Sequence, residues 1–247
     1  NGIVLVSGPT GSGKTTSLYA ALDQLNADDV NIITVEDPVE IELEGVNQVN
    51  VNPDIDFTFA NALRSILRQD PNIIMVGEIR DTETAEIAVK ASLTGHLVLS
   101  TIHTNSAVKT ITRLIDMGID DFLVASSLSG VIAQRLVRVV CPHGSTEDKP
   151  TASEQEIFEK NNIKVDTMKR AHGCELCNNK GYKGRTAIFE ILDVNEHIIR
   201  LVSNKAPEDE VLEQARIDGT KLLIEAGLEK VKIGQTTLEE IMRISLD

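Results

Sequence analysis

One glycine-rich motif near the start of the chain strongly constrains its fold. Residues 8–15 read Gly-Pro-Thr-Gly-Ser-Gly-Lys-Thr, which fits the pattern G-x-x-x-x-G-K-[ST] at every fixed position. The motif lies between an apolar run at residues 3–7, which predicts a buried strand, and a helical pattern that begins near Lys14. In this arrangement, backbone N–H groups and a helix N-terminus surround phosphate oxygens. The sequence therefore predicts a nucleoside triphosphate site in an α/β domain.

Each residue type in this loop has a chemical reason to be there. The glycines let the backbone turn inward, the Lys14 ammonium can reach the β- and γ-phosphates, and the Thr15 hydroxyl can bind Mg²⁺. The alternative is a glycine-rich turn that only connects strand to helix, and the complete match argues against it. The residues predicted to bind nucleotide are Gly8, Pro9, Thr10, Gly11, Ser12, Gly13, Lys14, Thr15 and Thr16.

The first 140 residues alternate short apolar runs with helical patterns. Strands are predicted at residues 31–35, 72–76, 97–101 and 130–140, and helices at 58–67, 82–93 and 106–117. Such alternation is typical of a mainly parallel sheet between helices. The pattern changes near residue 140. We therefore predict three segments, namely a nucleotide-binding α/β core at 1–140, a cysteine-containing element at 141–190 and a helical region at 191–247.

The composition excludes several classes of protein. The 247 residues carry a net charge of −14 without a strongly basic segment, which argues against a nucleic-acid-binding surface. No apolar run is long enough to span a bilayer and no signal peptide is visible. Three cysteines, an odd number, argue against a secreted disulfide framework. We expect a cytoplasmic location, and the start at Asn1 suggests a piece of a longer protein.

Acidic residues follow two of the predicted strands. Hydrolysis of a γ-phosphate needs carboxylates that orient water and hold Mg²⁺, and parallel sheets place ligands at the carboxyl ends of their strands. Glu36 and Glu40 follow the second strand, and Glu78 follows the third. Gly77 stands where an Asp is usual, so Glu78 is the first carboxylate available there, as a catalytic group or a Mg²⁺ ligand. Solvated charge at a strand end is the alternative for each.

Basic and histidine side chains add further candidates. His96 precedes and His103 follows the strand at 97–101, and a histidine at a strand's carboxyl end can donate to a phosphate. A structural role is the alternative for both. Arg80 lies two residues after Glu78 and is a further candidate catalytic residue. Arg64 and Arg68 share one helix face and could contact phosphate or simply be solvated.

Five stretches in this order carry a family resemblance. They are the phosphate loop, Thr-Val-Glu-Asp-Pro-Val-Glu at 34–40, Leu-Arg-Gln-Asp-Pro at 67–71, Val-Gly-Glu-Ile-Arg-Asp at 76–81 and the histidine-flanked strand at 94–105. The chain resembles the ATPases of type II secretion and type IV pilus assembly over essentially its whole length. The resemblance implies a RecA-like motor that works as a hexamer. It would use ATP and Mg²⁺ to move an inner-membrane platform protein, with cytoplasmic adaptor proteins as further partners.

The resemblance also assigns roles to residues. It implies that Lys14 and Thr15 hold phosphate and Mg²⁺, that Glu36 and Glu78 are the leading catalytic carboxylates, and that His103 senses phosphate. It places the protein at the inner face of the inner membrane, with only indirect contact to lipid. Relatives carry an additional N-terminal region that supplies part of the nucleotide site. We therefore expect nucleotide binding but weak hydrolysis and poor hexamer formation from this chain alone.

The cysteines suggest an incomplete zinc site. Assembly-type relatives carry a C-x₂-C…C-x₂-C element, and Cys141, Cys174 and Cys177 match three of its positions, while Gly144 replaces the fourth. Structural zinc needs four ligands, so His143 or His172 would have to complete the set. Alternatively, metal binding has been lost and the thiols stay free.

Three other functions compete with a secretion or assembly motor. A pilus retraction motor shares the core, but the cysteine element argues against it. A DNA-processing RecA-like motor would need a basic surface, which the acidic composition does not provide. A nucleotide-binding regulator that does not hydrolyse nucleotide would explain why Gly77 stands at the position of the usual Asp.

Overall fold

The computed structural model describes residues 1–245, which contain nine strands and ten α-helices. The strands are β1 (Gly2–Ser7), β2 (Ile32–Glu36), β3 (Asn47–Asn50), β4 (Ile73–Val76), β5 (Leu97–Ile102), β6 (Leu128–Val140), β7 (Ser145–Asp148), β8 (Met168–Ala171) and β9 (Tyr182–Asp193). The helices are α1 (Lys14–Leu25), α2 (Phe59–Ile66), α3 (Thr82–Leu93), α4 (Ala107–Asp116), α5 (Asp121–Ser127), α6 (Ala152–Lys160), α7 (Glu196–Ser203), α8 (Glu208–Ile217), α9 (Leu223–Lys232) and α10 (Leu238–Ser245).

Seven strands form one sheet in the order β3-β2-β4-β5-β1-β6-β9. All the pairings from β3 across to β6 are parallel. The predicted α/β fold with a mainly parallel sheet is therefore confirmed. Its first, second, fourth and fifth strands lie within one residue of the predicted bounds, because continuous apolar runs mark strands that are buried on both faces.

By internal contacts, the chain divides into two compact units. The first comprises residues 1–133 and 191–220, and the second residues 134–190 and 221–247. This grouping differs from the three predicted segments, because residues 191–220 belong to the first unit. There, α8 contacts α4 and α7 contacts α5, so packing between helices joins α7 and α8 to the nucleotide-binding part.

In the first unit, the core lies between the sheet and its helices. One buried cluster combines Leu18, Tyr19 and Leu22 of α1 with residues of β1, β2, β4 and β5. Five helices of this unit begin at side-chain caps, which satisfy backbone N–H groups at the helix start. These caps are Thr58 for α2, Asp81 for α3, Ser106 for α4, Asp120 for α5 and Asn195 for α7.

The second unit has its own apolar core. Phe158 of α6 is fully buried there with Met168, Leu228 and Ile241. α6 begins with a capping box in which Thr151 and Glu154 bond reciprocally, and β7 pairs antiparallel with β8. α6, β7 and β8 were not predicted, because the surrounding segment is polar.

Two further strands were missed. β9 begins at Tyr182, inside the cysteine-containing element predicted at 141–190, and β3 is a short, mostly polar edge strand. Among residues 1–245, no helix combines the length and the apolar character needed to cross a bilayer.

Candidate nucleotide-binding site

The phosphate loop connects β1 to α1, as predicted. Gly11 and Gly13 have φ angles of 78° and 85°, in the left-handed region that side chains other than that of Gly rarely adopt. Gly13 is the N-cap of α1, so the positive end of the helix dipole opens onto the loop. Lys14 Nζ donates to the carbonyls of Gly8 and Pro9 at 2.8 and 3.1 Å. The ammonium group therefore lies against the loop that would hold phosphate.

Two neighbouring strand ends bring Glu78 and His103 together. His103 Nε2 lies 2.9 Å from Glu78 Oε1, and Arg80 Nε lies 2.5 Å from Glu78 Oε2. The Glu78 side chain is 15% exposed, so it is sheltered but still open to a small molecule such as water. Arg80 also reaches Asp37 Oδ2 at 3.5 Å. Three of the candidate residues named from sequence therefore form one contiguous group.

The sheet register explains why these residues share an edge with the loop. β5 lies between β1 and β4, and Ser7 pairs with Ile102. Gly8 and His103 thus leave adjacent strands at the same level. The carboxyl ends of parallel strands meet at one edge, which positions His103 between the loop and Glu78.

Hydroxyl groups of β5 hold the turn that carries Glu78. Thr101 Oγ1 donates to the Gly77 carbonyl at 2.7 Å, and Ser100 Oγ donates to the Val76 carbonyl at the same distance. The Ile79 N–H donates to the Thr101 carbonyl at 3.0 Å. These contacts fix the backbone on both sides of Glu78. Sequence reasoning missed them, because a Ser-Thr pair in a strand gives no sign of its cross-strand partners.

Gly77 has a packing reason. A Cβ atom at this position would lie 3.2 Å from the Val35 carbonyl oxygen, 3.4 Å from Glu36 Cα and 3.6 Å from the Phe59 ring. The neighbouring strand β2 therefore leaves little room for a side chain. Close packing is therefore a structural reason for a glycine at this position in place of the usual Asp.

Glu36 lies in a different environment from Glu78. It is only 2% exposed, and its carboxylate accepts hydrogen bonds from Tyr19 Oη, from Thr34 Oγ1 at 2.5 Å and from Gln48 Nε2 at 3.1 Å. Burial raises the pKa of Tyr19 above its ordinary value, and the hydrogen bond to Glu36 raises it further. Gln48 and Tyr19 could not be predicted from the sequence as partners of Glu36, because their contacts depend on the sheet and on α1.

The remaining candidates are placed as follows. Glu40 is exposed, and its backbone N–H donates to Tyr19 Oη at 3.2 Å. The ring of His96 is tied to the C-terminal end of α3, with Nδ1 2.9 Å from the Ala91 carbonyl oxygen. Arg64 forms an ion pair with Glu83 of α3, whereas Arg68 is exposed. His96 and Arg64 therefore have structural contacts.

The three cysteines form a cluster in the second unit. Their sulfur atoms all lie within 4.8 Å of one another; Cys174 Sγ is 3.8 Å from Cys141 Sγ and 3.6 Å from Cys177 Sγ. Within the described part of the chain, no histidine belongs to this cluster. His143 is exposed, and His172 Nδ1 lies 2.9 Å from the Gly173 carbonyl oxygen.

The cluster fits a thiophilic metal ion. Burial disfavours the Cys177 thiolate, but N–H groups of Cys174 and Gly181 outweigh it and lower the pKa of Cys177 to about 7. A Cβ atom at Gly144 would lie 3.1 Å from Cys177 Sγ. The position of the missing fourth cysteine therefore faces the other three, and thiolates at such separations are the ligands that zinc prefers.

A phosphate loop at the edge of a mainly parallel sheet, with a carboxylate and a histidine at the neighbouring strand ends, defines a RecA-like P-loop nucleotide-binding protein. The fold agrees with that of the pilus retraction motor PilT with bound ADP, at a TM-score of 0.74 and 32% identity over 100% of this chain and 62% of that one. The ATPase DotB of Legionella pneumophila aligns with a TM-score of 0.69 and 25% identity over 99% of this chain and 60% of that one.

The chain belongs to the family described as Type II/IV secretion system protein, whose sequence model matches residues 1–243. It is 51% identical to the type II secretion system ATPase E of Vibrio cholerae over 99% of this chain and 48% of that protein. It is 50% identical to the type IV pilus assembly ATPase PilB of Pseudomonas aeruginosa over 100% of this chain and 44% of that protein. The chain thus spans about half the length of these relatives.

Proposed function

We propose that this chain is the motor part of an ATPase that drives type II secretion or type IV pilus assembly. The observation that carries the proposal is the shared edge of the sheet, where the phosphate loop after β1 meets His103 after β5 and Glu78 after β4. This arrangement puts a phosphate-binding loop, a hydrogen-bond donor and a carboxylate on neighbouring strands, which γ-phosphate hydrolysis requires.

Each residue of the site has its own role in the proposed hydrolysis. The loop and Lys14 bind the phosphates of ATP, and the Thr15 hydroxyl binds Mg²⁺, which offsets the charge of those phosphates. Glu78 orients the attacking water or a Mg²⁺-bound water. His103, which contacts Glu78 at 2.9 Å, couples that carboxylate to the phosphate. Arg80 holds the second oxygen of Glu78. Glu36, which was expected to be catalytic, positions neighbouring groups, because three donors already occupy its carboxylate.

The motor acts as a hexamer on an inner-membrane platform protein, through cytoplasmic adaptors and without direct lipid contact. The resemblance to secretion and pilus-assembly ATPases supports this part of the proposal, whereas the names of the relatives support only the role in secretion or pilus assembly. The relatives named for type II secretion and for pilus assembly are about equally similar, at 51% and 50% identity. PilT is 32% identical, which favours secretion or assembly over retraction. A DNA motor is disfavoured by the net charge of −14.

The cysteine cluster holds zinc in this proposal. Cys141, Cys174 and Cys177 supply three thiolates, and a fourth ligand such as His143 or water completes the set. Zinc at this position would join the turn between β6 and β7 to the segment between β8 and β9.

Replacing Glu78 with Gln tests the hydrolytic role. The substitution keeps the shape and removes the charge, so Mg·ADP binding should stay within about threefold while kcat for ATP falls about 100-fold or more. Glu86→Gln is the matched control, since Glu86 is half exposed on α3 and pairs with Lys90 at 3.0 Å. Turnover by Glu78→Gln at the level of the control would overturn the assignment. Stimulation of wild-type turnover by DNA at physiological salt would favour the DNA motor.

A further inference from the structure

The Tyr19 side chain joins the phosphate-loop helix to the acidic segment after β2. Tyr19 lies on α1 four residues after Thr15, so the two side chains share one helix face. Its ring is 5% exposed and packs in the apolar cluster that includes Leu22 and Ile32. The ring is therefore held in place by packing, which leaves its hydroxyl group in a fixed position.

That hydroxyl group makes two hydrogen bonds to the acidic segment. Tyr19 Oη donates to the Glu36 carboxylate and accepts the backbone N–H of Glu40 at 3.2 Å. Residues 36 and 40 are the two ends of the stretch that leaves β2. One atom of α1 thus fixes both ends of this stretch.

The same stretch also contacts the catalytic carboxylate through an arginine. Asp37, between the two ends, lies 3.5 Å from Arg80, and Arg80 Nε lies 2.5 Å from Glu78. A continuous series of contacts therefore runs from α1 through Tyr19, residues 36–40 and Arg80 to Glu78. A phenylalanine at position 19 would keep the ring packing and break this series at its first hydrogen bonds.

We propose that Tyr19 is a positioning residue for ATP hydrolysis, which holds residues 36–40, and through them Arg80 and Glu78, in register with the nucleotide-bound start of α1. This inference rests on the proposed ATPase function. Tyr19 does not contact the reacting atoms. Its hydroxyl group should therefore matter for the chemical step and not for the affinity for nucleotide.

The substitution Tyr19→Phe tests the inference, with Tyr182→Phe as the matched control. Tyr182 is the second of the two tyrosines in the chain, and its hydroxyl oxygen lies 2.7 Å from Thr237 Oγ1 in the second unit. We expect Tyr19→Phe to bind Mg·ADP within about threefold of wild type and to lose at least about 10-fold in kcat. The control should change neither quantity. A kcat for Tyr19→Phe within about twofold of wild type would overturn the inference.

A double-mutant cycle with Arg80→Ala separates a positioning role from a general loss of stability. If Tyr19 and Arg80 both act through residues 36–40, the kcat of the double variant should be close to that of the less active single variant. A loss of kcat in the double variant equal to the product of the two single losses would contradict the inference.

A second measurement does not depend on turnover or on a Tyr19 variant. In protein labelled with 3-fluorotyrosine, the two ¹⁹F resonances can be assigned with Tyr182→Phe. Arg80→Ala should shift the Tyr19 resonance and leave that of Tyr182 in place; an unchanged Tyr19 resonance would refute the coupling. Failure of the wild-type protein to bind Mg·ADP would instead contradict the proposed ATPase function, from which this inference starts.

Discussion

His103 Nε2 lies 2.9 Å from Glu78 Oε1, so this contact links the carboxyl ends of two adjacent strands, β5 and β4. β5 is also the neighbour of β1, which leads into the phosphate loop. The histidine therefore lies between the loop and the carboxylate that orients water in the proposed reaction. This relationship gives the histidine-flanked strand a physical role in hydrolysis.

Replacing His103 with Ala should lower kcat for ATP by about 10-fold to 100-fold, because Glu78 loses one of the donors that orient it. His96→Ala is the control, since His96 precedes the same strand and contacts the Ala91 carbonyl at the end of α3. Steady-state kinetics of both variants should show a loss only for His103. An equal loss for both would mean that the effect comes from destabilisation of β5.

Introducing the usual Asp at position 77 should destabilise the fold and not improve turnover. A Cβ there would meet the Val35 carbonyl oxygen at 3.2 Å, and overpacking of this kind costs about 1–3 kcal/mol. Urea unfolding of Gly77→Asp and Gly77→Ala measures the effect, and the Ala variant isolates the added Cβ. Wild-type stability of Gly77→Ala would contradict the packing explanation.

Local motifs and non-local contacts differ in what the sequence reveals. Short motifs, together with the rule that ligands bind at the carboxyl ends of parallel strands, predict the phosphate loop, the buried strands and the positions of His103 and Glu78 at strand ends. The contact between His103 and Glu78 does not follow from them, because it depends on β5 lying next to β4 in the sheet. The environment of Glu36 could not be predicted, because it depends on Gln48 of the edge strand β3 and on Tyr19 of α1. A buried and an exposed carboxylate after a strand look the same in the sequence.

The second unit contains an ion-pair group that should respond to acid. The Glu240 side chain is fully buried and contacts Arg138 at 2.7 Å and Arg243 at 2.9 Å. Burial opposes its ionisation, but the hydrogen bonds from Arg243 and Arg138 outweigh it and lower the pKa of Glu240 to about 2. Because this pKa lies below the ordinary value of 4.5, the carboxylate stabilises the folded state above about pH 4.5. That stabilisation is lost as the pH falls towards 2.

Glu240→Gln should therefore lower the free energy of unfolding at pH 7 by about 2–4 kcal/mol, and the difference from wild type should shrink at pH 3. Urea unfolding at both pH values tests this. Glu156→Gln is the control, because Glu156 is 65% exposed in its pair with Lys160, and such pairs contribute about 1 kcal/mol or less. A difference between Glu240→Gln and wild type that does not change with pH would contradict the ion-pair account.

Zinc binding should increase with the number of cysteine thiols in the cluster. We expect about one zinc per chain when the protein is purified without a chelator, and a loss of that zinc in Cys177→Ser. Gly144→Cys should raise the affinity for zinc, because it adds a fourth thiolate. The surrounding loop must shift slightly to admit the new Cβ, which would lie 3.1 Å from Cys177 Sγ and from the Gly173 carbonyl carbon. Elemental analysis and competition with a chelator measure both effects. Ser126→Cys, which adds an exposed thiol to α5, is the control and should change neither the zinc content nor the affinity for zinc. Absence of zinc in the wild-type protein would refute the site.

The most direct test of the central claim is the affinity for Mg·ADP measured by calorimetry for the wild type, Lys14→Ala and Lys90→Ala. Lys14 lies against the phosphate loop through its contacts with Gly8 and Pro9, whereas Lys90 pairs with Glu86 on the exposed face of α3. We predict one nucleotide per wild-type chain, an affinity reduced by about 100-fold or more in Lys14→Ala, and an unchanged affinity in Lys90→Ala. Binding by Lys14→Ala that is as tight as that of wild type would contradict the account.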